Sequence, residues 1–135
     1  MSLADECSDS GFVFVDDPTA FQTTDACVVR IPPGGLGKKQ LLSLIARQLN
    51  LPSYFGHNWD ALEECLRDLS WLPPHASVVI VHEDVPFPAN EQALAIYVWL
   101  LQSVVREHVH RGDCCVRVVF PTHAKLRVAA LLARE

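Results

Sequence analysis

Three carboxylates recur at four-residue intervals between positions 58 and 70: Asp60, Glu64 and Asp68, with Glu63 beside the row. On a helix that spacing puts the row on one face, where each like-charged pair costs about 0.2–0.5 kcal/mol. Asp60, in the first turn, complements the helix dipole, but that compensation fades for Glu64 and Asp68. Fixed carboxylates can meet the Lys and Arg groups of a basic partner. An acid/base pair made of Asp60 and Glu64 is the weakest reading. Consecutive turns of one exposed helix lack the contrasting environments that split two pKa values. A charge row is ordinarily a solvated surface, and Arg67, four residues after Glu63, softens this one.

Other chemistries find little support. The six histidines show no ligand spacing: His108 and His110 are two apart and do not share a helix face. No HExxH, CxxC pair or serine elbow occurs, so the histidines are expected at loops and helix ends, with no metal or cofactor. The loop Gly34-Gly35-Leu36-Gly37-Lys38-Lys39 lies where a phosphate loop would. Its first required glycine falls on Pro32, however, and its Ser/Thr position is Lys39. Five cysteines, Cys7, Cys27, Cys65, Cys114 and Cys115, are expected to be reduced thiols. A net charge of −5 disfavours direct nucleic-acid binding and suits a basic partner. Residues 1–11 contain no apolar signal segment, and the apolar run 93–105 is too short for a membrane span. A cytoplasmic, non-membrane protein is therefore expected.

The elements that must position the acids follow from periodicity. Strands are expected at 11–15, 26–31, 77–82 and 115–120, and helices at 38–50, 58–70, 89–111 and 123–133. In the 58–70 helix, Trp59, Leu62, Leu66 and Leu69 form an apolar stripe behind an Asn58 cap. The β-branched run 77–82 suits a strand buried on both faces. Strands separated by helices imply an α/β fold with a parallel sheet and right-handed crossovers, here in a single domain spanning 1–135. In the tail, Leu126, Ala129, Ala130 and Leu132 are expected to form the packing face, opposed by Lys125, Arg127 and Arg134.

The stretch Leu49-Asn50-Leu51-Pro52-Ser53-Tyr54-Phe55-Gly56-His57-Asn58-Trp59-Asp60-Ala61-Leu62-Glu63-Glu64-Cys65-Leu66, continuing to Pro73, resembles the barstar family. The resemblance extends over about 27–120. It implies a mostly parallel three-stranded sheet with helices packed on it, to which 11–17 adds an edge strand and the tail a helix. It also implies a cytoplasmic inhibitor, without enzymatic activity, that blocks the basic active site of a ribonuclease one-to-one, and is monomeric when free. By position, Tyr54, Asp60, Glu63, Glu64 and Glu107 become the partner-binding residues. Glu64 stands where the family's best-known member has an aspartate, one methylene shorter, and Glu63 where it has a tryptophan. That second departure leaves open an immunity or antitoxin module retargeted to another basic toxin or nuclease.

Overall fold

The computed structural model describes residues 11–23, 26–34, 37–51, 56, 58–70, 72, 76–112 and 115–134. Four strands, β1 (Phe12–Val15), β2 (Ala26–Ile31), β3 (Ser77–His82) and β4 (Cys115–Pro121), form one parallel sheet in the order β1-β4-β3-β2. Four helices accompany it: α1 (Lys38–Leu49), α2 (Trp59–Asp68), α3 (Glu91–Arg111) and α4 (Lys125–Ala133). Three of the strands make the expected sheet, and β1 adds the fourth as an edge. Among the described residues no helix is long and apolar enough to cross a membrane.

Alternation along the strands divides the sheet into two faces. Phe12, Val29, Ile31, Val78, Ile80, Val116, Val118 and Phe120 join the large core beneath the helices. Val79, Val81 and Val119 point the other way and pack with Val13, Val15, Val28 and Phe21. Strand order explains the second core. The steps β2 to β3 to β4 run one way across the sheet, each through helices, whereas β1 to β2 returns the other way. A right-handed return must cross the opposite face. It has roughly 25 Å to cover and ten residues that reach about 33 Å, so a helix does not fit. The described part is a strap with one short turn, Pro18–Ala20, lying against β4. Arg30 on β2 holds it, donating to the Pro18 carbonyl at 3.3 Å and to the Phe21 carbonyl. The backbone of Arg30, on the other edge strand, is closed by the Gln48 amide (2.8 and 2.9 Å), which removes a free pairing edge there.

β1 enters the sheet through Gly11, whose φ of 61° is left-handed and whose missing Cβ would lie 2.3 Å from Val105. Only glycine lets that strand pass beneath α3. The tail differs from expectation. Helix α4 buries Val128 and Leu131, with Ala124 just before it, and Leu126 is 88% exposed. The true stripe, 124-128-131, steps by four and three. The expected set mixed both faces because alanines carry little information about burial. The Trp99 indole N–H donates to the Leu131 carbonyl at 2.8 Å, and Arg127 pairs with Glu91 at 2.7 Å.

Among the described residues His82 and His108 are buried; His108 stands at a helix end as expected, whereas His82 closes strand β3. His82 is fully enclosed at the end of β3, stacked on Phe120 at 4.2 Å. Its Nδ1 is 3.0 Å from the Val119 carbonyl and its Nε2 is 2.7 Å from the Tyr97 hydroxyl. A carbonyl only accepts, so Nδ1 carries the proton and Nε2 accepts from the tyrosine. Both ring nitrogens are thus satisfied by the neutral form. Burial pushes the His82 pKa down to about 4, against a small opposing effect of the Val119 carbonyl. The folded state therefore refuses a proton that the unfolded chain accepts below about 6.5. Stability contributed by this site is complete above that pH and is lost on descending towards pH 4, by about 3 kcal/mol in all. Chemical denaturation across that range should show wild-type stability falling more steeply than that of His82→Phe. Parallel curves would contradict the assignment.

Candidate functional site

Helix α2 starts where expected. The Asn58 side chain accepts from the Ala61 N–H at 2.8 Å, covering one of the free donors of the first turn. Leu62 and Leu66 are fully buried, and Cys65 and Leu69 nearly so. That stripe turns Asp60, Glu64 and Asp68 outwards, where all three are exposed. The helix ends at Asp68, earlier than position 70. Leu69 adopts a left-handed φ of 47°, a conformation that costs a non-glycine residue roughly 1–2 kcal/mol. Burial of the Leu69 side chain offsets that cost.

Among the described residues, three side-chain hydrogen bonds tie the last turn of α2 to α3. His108, buried, donates from Nε2 to the Leu66 carbonyl at 2.7 Å. Arg111 donates from Nη2 to the Arg67 carbonyl. Arg67 reaches the Ser103 hydroxyl at 2.7 Å while pairing with Glu63 at 2.9 Å. Helix ends leave carbonyls without partners, and a cation there also meets the negative end of the dipole. The Leu69 N–H closes the Cys65 carbonyl, and the final turns of α3 cover the Leu66 and Arg67 carbonyls that this cap leaves open.

The result is an open basin of about 530 Å³ between the two helices, lined by Asp60, Glu63, Glu64, Arg67, Asp68, Glu107 and Arg111. Of the residues expected at the site, Asp60, Glu63, Glu64 and Glu107 meet here, although Glu107 lies more than forty positions from the others in sequence. Tyr54 lies outside the described residues. The carboxylates are not equivalent. Glu63 is neutralised by Arg67, and Glu107 faces Arg111 at 3.7 Å. Asp68 accepts from the Ser70 hydroxyl at 3.1 Å. Among the described residues the Asp60 and Glu64 carboxylates have no hydrogen-bond or ion-pair partner. Beneath the row, burial, then Glu64 and Asp68, push the Cys65 thiol up, which keeps it protonated.

Three members of the basin lie outside the expected partner-binding set: Asp68, which belongs to the acidic row, Arg67 and Arg111. Arg67 was read only as softening the surface charge. Arg111 carried a signal, its position four residues after Glu107, but nothing local indicates that it reaches across to α2. Among the described residues no group of three His, Cys, Asp or Glu side chains could hold a metal ion.

A family model described as Barstar (barnase inhibitor) matches residues 34–120. The chain belongs to the barstar family. The match covers α1 through all but the last residue of β4, including the whole basin, and leaves β1, the strap, β2 and α4 outside it. Searches of curated proteins and of solved structures gave no match. The basin is thus the part of this barstar-family chain where the core fold and the acidic row coincide.

Replacing Arg111 by Met keeps the aliphatic stem but removes the guanidinium from the Arg67 carbonyl. We expect a loss of about 1 kcal/mol in unfolding free energy, with faster hydrogen exchange at the Leu69 amide, the last to bond back into α2. Unchanged exchange and stability would show that the α3 cap is dispensable.

Proposed function

We propose that this protein is a cytoplasmic inhibitor of a basic ribonuclease, acting one-to-one as a monomeric, single barstar-like domain that carries no catalysis of its own. The observation that carries the reading is the pair of free carboxylates, Asp60 and Glu64, held on a rigid helix face and flanked by carboxylates already paired internally. A ribonuclease must present Arg, Lys or His to hold phosphates, and fixed carboxylates can occupy those positions. Because α2 is capped at both ends before binding, little ordering is required on association. Glu64 takes the central phosphate-like role, Asp60 the adjoining one, and Glu107 the far rim. Tyr54 belongs to the reading by family position.

The acid/base alternative fares poorly, since Asp60 and Glu64 both stand exposed on an open basin, without an enclosed pocket between them. A retargeted immunity module has one specific support. The Glu63–Arg67 pair puts a guanidinium into the acidic surface, so a partner must accommodate a cation there.

The test uses barnase as the probe, with inhibition of RNA cleavage and association kinetics as readouts. Wild type should inhibit, and Glu64→Gln should weaken binding by about tenfold to a hundredfold through loss of a charge-assisted hydrogen bond. Association should slow markedly as salt rises, because steering between opposite charges is screened. Absence of inhibition would exclude a barnase-type target. A salt-independent association rate would remove the electrostatic basis of the proposal.

A further inference from the structure

Beside the acidic basin, between the first turn of α2 and the middle of α3, lies a second and smaller cleft of about 280 Å³. It is lined by Trp59, Asp60, Glu63, Ile96, Trp99 and Leu100. We propose that this cleft receives one apolar side chain of the basic partner, adjacent to a Lys or Arg of that partner held by Asp60. The proposal rests on the acidic-face reading above and adds to it the character of the partner's surface.

Four observations support it. First, Ile96 leaves 36% of its surface exposed, although a large apolar side chain gains by burial. Second, the walls are fixed in advance. Trp99 is held by its bond to the Leu131 carbonyl. Trp59 is held edge-on by Phe87 at 6.0 Å, by Tyr97 at 5.9 Å and by the Lys38 ammonium 5.3 Å from its ring. A rigid aromatic wall recognises a side chain at low entropic cost. Third, the volume falls just below the usual range of about 300–1,000 Å³ for small-molecule pockets and suits a single side chain. Fourth, Asp60 and Glu63 line both this cleft and the basin, so the two form one continuous surface. An apolar group entering the cleft therefore meets carboxylates at its rim, and the complementary surface is an apolar residue next to a cation.

The experiment titrates the full chain at low salt with two peptides, Ac-Lys-Phe-Arg-NH2 and Ac-Lys-Ala-Arg-NH2, while the indole N–H signals of Trp59 and Trp99 are followed by NMR. The Phe peptide should bind about tenfold more tightly, as burial of one aromatic side chain implies, and should shift both indole signals. Ile96→Ser, whose unfolding midpoint should match wild type, should remove most of that preference. Equal affinities, or a preference that survives Ile96→Ser, would overturn the proposal. A cation stacking on Trp99 without an apolar neighbour would give the first of these results. If binding of both peptides falls in Asp60→Asn/Glu64→Gln but no Phe preference exists, the cleft fails and the acidic-face reading stands. If that double variant binds both peptides as wild type does, the acidic-face reading fails and takes the cleft with it.

Discussion

The constraint on which the site depends is the junction of the end of α2 with the last turns of α3. Helix α2 is only ten residues long, carries an acidic row and finishes in a strained left-handed leucine. Helices of that length are marginal in isolation. Its last carbonyls are covered instead by His108 and Arg111, and Arg67 bridges Glu63 to Ser103. The same three contacts set the distance between the α2 acids and Glu107. Fold and site therefore share one set of bonds.

This junction also sorts the charges. Arg67 and Arg111 each do two things: they tie the helices together and they neutralise one neighbouring carboxylate. What remains without a partner, Asp60 and Glu64, stands at adjacent turns with nothing inside the described molecule to relieve the repulsion. A fold selected only for stability would not keep that arrangement, because polar residues without charge would serve the surface equally well. Asp60 and Glu64 are thus the two acids of the row that the described structure leaves without internal partners.

Much of this could be read from the residues alone. The Leu62–Leu66–Leu69 stripe oriented α2 correctly, Asn58 capped it as expected, and the short run at 11–15 became the edge strand. These features depend on local periodicity and local hydrogen bonds, which sequence spacing reports directly. What escaped depends on distant contacts. His82 looks like the polar end of a strand until Tyr97 and Phe120 are folded around it. Arg111 looks like a C-terminal helix cation until α2 arrives beside it. The packing face of α4 escaped because its alanines carry little information about burial, so Leu126 marked a face that the fold leaves exposed while Val128 and Leu131 are buried. The strap across the back of the sheet follows only from strand order, which no local pattern reveals.

The central claim is that the free acids serve a partner and not the fold. Thermal unfolding of the isolated Glu64→Gln variant tests it most directly, because Glu64 is a free acid with like charges one turn away on either side, Asp60 and Asp68. The account predicts a midpoint equal to or above that of wild type. A midpoint several degrees lower would mean that the carboxylate stabilises the helix it sits on, and the claim would be contradicted.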